Sequence, residues 1–106
     1  MGTADEESIG ETRDPDGKRV VVVARLWQEK VLRDHPELGA HLGDVLRAIS
    51  DPDHVAPDPS FDNRRHHYLR DIGPSRWLRV VLSYEQAPAR LITAFPNRKD
   101  PRSWTE

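Results

Sequence analysis

Cysteine is absent from this chain, which excludes disulfides and thiolate metal sites and fits a reducing compartment. No apolar run approaches the ~20 residues of a bilayer span, and residues 1–17 lack the apolar centre of a signal peptide. The expectation is a cytoplasmic protein with no membrane contact. Also missing are a glycine-rich phosphate loop, a nucleophile elbow and a catalytic serine or cysteine constellation. Five histidines are present, but no two are spaced to share a metal on a helix. His66 and His67 are adjacent, so on a strand they point to opposite faces. No metal site and no cofactor are expected.

What is present is charge, unevenly placed. The net charge of −2 conceals a division along the chain. Residues 1–17 hold six acids and one base, whereas the stretch from Arg64 onward holds nine bases and four acids. Local field, not net charge, steers a polyanion, so a basic C-terminal half is compatible with nucleic acid. With 36% hydrophobic and 32% charged residues, the 106-residue chain should build one domain with a modest core.

Residues 1–17 read as a disordered acidic tail in which, after Met1, Ile9 is the one large apolar side chain. Asp14-Pro15-Asp16-Gly17 is a turn signal that closes it, and residues 18–106 form the domain. Val20-Val21-Val22-Val23 can open the fold as a short strand. Apolar residues then recur every three or four positions from Leu26 to Ile49. Pro36 divides them into helices near 25–34 and 37–50. A short extended piece at 54–56 precedes strands near 64–71, 76–85 and 89–95, with hairpin-length links at Ile72–Ser75 and Glu85–Pro88. The expected fold is α+β: two N-terminal helices packed on a four-stranded antiparallel meander.

In the second of those strands Leu78, Val80, Leu82 and Tyr84 share the core face, opposite Trp77, Arg79, Val81 and Ser83. In the third, Ile92 and Ala94 join that core, leaving Leu91, Thr93 and Phe95 opposite. In the first, Arg65, His67 and Leu69 form one set and Arg64, His66, Tyr68 and Arg70 the other. Either set can face the helices, because a bulge would exchange them. His35, at the end of the first helix, is either a cap of the last turn or a proton-transfer group.

The ordered series Lys30–Glu37, with its His35-Pro36-Glu37, then Leu46 to Val55 with Asp51-Pro52-Asp53, then Tyr68, Trp77–Val81, Ile92-Thr93-Ala94-Phe95, Lys99 and Trp104 resembles the phage Barnase–EndoU–colicin–RelE-like nuclease group. The resemblance spans residues ~26–104. It implies a metal-independent endoribonuclease of toxin type, with RNA as substrate and an antitoxin or immunity protein as possible partner. By position it implies catalytic roles for His35, Arg65, Tyr68 and Thr93; around them Arg64, His67, Arg79 and Lys99 are the expected substrate-binding residues. His35 would shuttle protons, Arg65 clamp phosphate and Thr93 donate to it, while Tyr68 donates to or stacks on substrate. Many relatives carry a second histidine where this chain has Lys30. The alternatives are a non-catalytic RNA- or protein-binding module, and an acidic tail that lies over the basic sheet as a polyanion mimic.

Overall fold

The computed structural model describes residues 7–71 and 76–98. Their backbone forms a six-stranded mixed sheet in the order β1-β2-β6-β5-β4-β3. The strands are β1 (Ser8–Arg13), β2 (Arg19–Val23), β3 (His54–Pro57), β4 (Arg64–Arg70), β5 (Trp77–Ser83) and β6 (Ala89–Asn97). The helical segments lie between β2 and β3. Helix α1 spans residues 24–34 as an α turn, a π turn over Trp27–Val31 and a second α turn. A 3-10 turn (Pro36–Ala40) then leads into helix α2 (Leu42–Ser50).

This arrangement overturns the expected fold in three respects. The sheet has six strands, not four. It is mixed, because β2 runs parallel to β6 (Val20 beside Ala89, Val21 beside Arg90). The helices are not N-terminal, because a hairpin precedes them. The physical reason lies in residues 8–13, which pair antiparallel with β2 instead of forming a loose tail. A polar sequence can still pair by its backbone when its partner is a strong strand. Val20–Val23 is such a partner: β-branched, and buried at all four positions. Arg19 adds a two-pronged ion pair to Glu11, with Nε–H and Nη2–H donating at 2.7 and 3.0 Å.

The β1–β2 turn is built by its own side chain. The Asp14 carboxylate accepts the backbone N–H groups of Asp16 and Lys18, each at 2.9 Å. Gly17 takes φ +88°, a conformation that suits only glycine at low cost. In β1, Gly10 allows close approach of α2: a Cβ there would lie 3.2 Å from a Leu46 methyl. The core joins Val20 and Val22 of β2, Trp27 and Val31 of α1, Val45, Ala48 and Ile49 of α2, and Leu69, Leu78, Val80, Leu82, Leu91 and Ala94 of β4 to β6. Burial of this apolar set is the main stabilising term. Among the described residues no helix is long and apolar enough to cross a membrane.

The β5–β6 register explains a misplaced side chain. Val81 pairs with Thr93 but Leu82 pairs with Leu91, so the ladder slips by one residue at Ile92. Strict alternation puts Ile92 in the core. The bulge instead buries Leu91 completely and leaves Ile92 half-buried. The expected link at Ile72–Ser75 lies outside the described residues.

Candidate functional site

Strand register sorts the polar residues of β4, β5 and β6 onto two faces. On one face, four rows cross the three strands: Arg64–Ser83–Arg90, His66–Val81–Thr93, Tyr68–Arg79–Phe95 and Arg70–Trp77–Asn97. On the other face Arg65 opposes Leu82, His67 opposes Val80 and Leu69 opposes Leu78. Leu69, Leu78, Val80 and Leu82 belong to the core, so this second face is the buried one. The parity left open by the sequence is thereby fixed.

Arg79 is the organising residue of the first face. Its guanidinium lies between two rings, 5.6 Å from the centroid of Tyr68 and 5.1 Å from that of Phe95. Its Nε–H donates to Nδ1 of His66 at 2.9 Å, and Nη2 lies 2.7 Å from the same nitrogen. A nitrogen that accepts from arginine cannot carry its own proton. The geometry therefore selects the Nε2–H tautomer, and Nε2 donates to Asp58 Oδ2 at 2.8 Å. Asp58 accepts in addition the backbone N–H groups of Ser60 and Phe61. The His66 hydrogen bond first, then that of Ser60, hold its carboxyl down at about 2. Asp58, His66 and Arg79 thus form a chain of hydrogen bonds from the β3–β4 loop to the middle of the sheet.

Tyr68 is only 1% exposed and meets Trp77 edge-on at 6.4 Å, so its ring cannot stack on a substrate base. Burial, only partly offset by Arg79, raises its phenol above the ordinary value. Its visible role is to support Arg79. Trp77 is buried as well.

His35 reaches this face from the helix side. It terminates α1, its N–H donating to Val31 O at 2.8 Å, and the following Pro36 prevents the helix from continuing. Its imidazole is 6.1 Å from the Phe95 ring at an interplanar angle of 28°, and Nδ1 lies 3.4 Å from Glu37 Oε2. Imidazole and guanidinium therefore address one half-buried ring, Phe95. Thr93 is two positions before Phe95 on the same strand face, also half-buried.

The remaining expected site residues are distributed elsewhere. Arg65 is on the opposite face, with Nη1 3.3 Å from Asp16 Oδ2 and the guanidinium 5.2 Å from the Tyr84 centroid. Beside it the Tyr84 hydroxyl donates to Asp14 Oδ2 at 2.7 Å. Burial pushes the Asp14 carboxyl up, but hydrogen bonds from Tyr84, Lys18 and Asp16 and the Arg65 charge outweigh it and hold it below its ordinary value. His67 is 1% exposed against α2, its Nδ1 3.1 Å from Ala48 O, and burial pushes its imidazole down. Neither residue is in a position to touch a substrate on the Arg79 face. Arg64 is on the Arg79 face two rows away, and Lys99 lies outside the described residues.

So His35, Tyr68, Arg79 and Thr93 gather, whereas Arg65 and His67 do not join them. Sequence reasoning gives no role to three contributors: Phe95, His66 and Asp58. Phe95 carries a readable signal, since it alternates with the apolar Ala94 on the outer side of its strand, whereas His66 sits between Arg65 and His67 and only the pairing of β4 with β5 places it. Asp58 carries none, because its reach across the sheet depends on the path of a loop. Compared with the models of known protein families, with curated proteins and with solved structures, the chain matches none.

Proposed function

We propose that the His35–Phe95–Arg79 corner is the active site of a metal-independent endoribonuclease. The observation that carries this reading is that His35 and Arg79 flank the same partly exposed ring. An imidazole, a planar cation and an aromatic ring are the groups needed to move a proton, hold a phosphate and contact a base. The activity is the one implied by the resemblance in sequence. The fold attached to that resemblance is not found, so the reading rests on the residues themselves.

In the reaction, the ribose 2′-oxygen attacks the adjacent phosphorus and the bond to the 5′-oxygen breaks. The products are a 2′,3′-cyclic phosphate and a 5′-hydroxyl. With Nδ1 turned to Glu37, His35 takes the 2′-hydroxyl proton at Nε2, an imidazole oriented by a carboxylate. The leaving oxygen receives its proton from solvent. Arg79 sets its fork on the non-bridging oxygens as charge accumulates, held flat between Tyr68 and Phe95 and fixed in rotation by His66. Thr93 donates its hydroxyl to the same phosphate, and the exposed edge of Phe95 contacts a base. On this reading the protein works in the cytoplasm, and an antitoxin or immunity protein would cover the same cations.

The test is incubation of the purified protein with single-stranded RNA in EDTA, followed by analysis of the ends. Cyclic phosphate ends are expected, with His35→Ala lowering the rate by about 10²- to 10⁴-fold. Arg79→Lys keeps a charge but loses the fork and should also be strongly impaired. Equal rates in all three proteins would overturn the site, and no cleavage of any RNA would overturn the activity. A binding module that grips RNA without turnover is the second reading, favoured by the burial of Tyr68, which removes one proposed catalytic group.

A further inference from the structure

The first row of the Arg79 face, Arg64–Ser83–Arg90, forms part of a groove of ≈ 580 Å³ that α1 completes. Arg64 and Arg90 come from the sheet, and Arg25, Lys30 and Arg33 from the helix, against the acids Glu29 and Glu85. Glu29 is already engaged by Arg25, an exposed pair at 3.4 Å. The groove is therefore cationic in excess within a chain that is acidic overall.

Two features make this more than a solvated basic surface. The Arg64 guanidinium lies 4.0 Å over the Phe61 ring, oriented by an aromatic face and not by a carboxylate. Its Nε is buried without an acceptor among the described residues, a donor whose desolvation an incoming anion would offset. The groove also leads toward the proposed site. Its lining includes Arg33, two residues before His35, and Ile92, next to Thr93. Tyr68 lies four residue steps along the strand from Arg64, a rise of roughly 13 Å at ~3.3 Å per residue.

We propose that this groove binds the sugar–phosphate backbone of a single-stranded polynucleotide. Arg64, Arg90 and Lys30 hold the phosphates that flank the nucleotide at His35, beside Arg33, which Asp34 engages at 3.3 Å. The inference rests on the reading of the His35 corner as an RNA site and names what that site's substrate must be: a strand several nucleotides long, unpaired, and read with little base preference. The last property follows because the groove's excess of cations favours phosphates, and backbone contacts carry no sequence information. In-line attack by the 2′-oxygen needs a backbone free to leave helical geometry, so the strand at His35 is unpaired.

The experiment measures affinity of the full chain for 2′-O-methyl oligouridylates of increasing length across a salt series. These oligonucleotides cannot be cleaved, so the outcome is independent of catalysis. Affinity should rise with length beyond two nucleotides. Arg64→Gln, and separately the exposed Lys30→Gln, should each weaken binding and reduce the log–log salt slope by about 0.7 for each phosphate no longer neutralised. Arg65→Gln, on the opposite face, should leave the slope unchanged. Unchanged slopes for both groove variants would overturn the proposal. So would equal affinity for a duplex of the same length, or tighter binding of polyglutamate, which would assign the groove to an acidic protein partner. A reduced slope without any RNA cleavage by the wild type supports the groove and removes the nuclease reading. Cleavage with unchanged slopes removes the groove alone.

Discussion

Arg65 and Arg79 occupy neighbouring strands of one sheet, yet they sit in opposite kinds of environment. On its face, Arg65 meets the carboxylate of Asp16 and the ring of Tyr84, in a cluster that ties the β1–β2 turn to β4. Its charge is met by an acid of its own fold. Arg79 is instead held by the acceptor nitrogen of a neighbouring imidazole, and the acid of that chain, Asp58, is one residue further away. The first arrangement commits a cation to architecture. The second fixes the direction of a cation through a ring nitrogen, which suits an anion-binding site. The two histidines divide in the same way. His67 is buried against Ala48 O, whereas His66 passes orientation from a loop to Arg79.

The largest effect that would break this comparison comes from His66. In His66→Asn the amide oxygen stands near the position of Nδ1 and can still accept from Arg79. In His66→Gln the longer amide can reach Asp58 but leaves Arg79 without its acceptor. Cleavage, measured as initial rate on single-stranded RNA, should therefore survive in the Asn variant and fall about 10- to 100-fold in the Gln variant, the range for a hydrogen bond to a charged group. Equal loss in both would reduce His66 to packing.

Acid should separate His67 from the carboxylates Asp14 and Asp58 on the pH axis. The folded-state pKa of His67 is depressed by burial, so the unfolded chain binds the proton first. Stability from this group is complete above the ordinary imidazole value of ~6.5 and is lost as pH falls from there through the lowered value. Asp58 is depressed from 3.8 to about 2, so its contribution is complete above 3.8 and disappears between 3.8 and 2. Thermal midpoints from pH 8 to pH 2 should show two descents. Replacing His67 by Asn should remove only the upper one, and loss of the lower one instead would contradict the assignment.

The smallest effect belongs to Arg65. The pair with Asp16 is 42% and 62% exposed, so Arg65→Gln should cost no more than ~1 kcal/mol in denaturant unfolding. It should not change the cleavage rate. A loss of activity without loss of stability would move the site to the other face.

How far these faces can be read from the sequence differs strand by strand. In β5, alternation of Leu78, Val80 and Leu82 with Arg79 and Val81 is enough to assign sides, because one set is wholly apolar. In β4 both sets mix polar and apolar residues, and only pairing with β5 decides between them. In β6 alternation misleads, since the bulge at Ile92 leaves no mark in composition. Residues 8–13 have the composition of a disordered tail because a strand at the sheet edge needs little apolar burial once its backbone is paired. The parallel pairing of β2 with β6 joins segments about seventy residues apart, beyond any local pattern. The site divides along the same line. His35 and Arg79 are visible as residue types in suitable places, but their meeting at Phe95 is a long-range fact.

The most direct measurement follows nitrogen and ring resonances by NMR while a non-cleavable, 2′-deoxy-substituted RNA oligonucleotide is added. The His35 imidazole, the Arg79 Nε–H and the Phe95 ring should shift together at one ligand concentration, with Arg65 and His67 unmoved. Shifts confined to Arg65 and His67, or none at His35 and Arg79 with ligand bound, would contradict the assignment of this face as the RNA site.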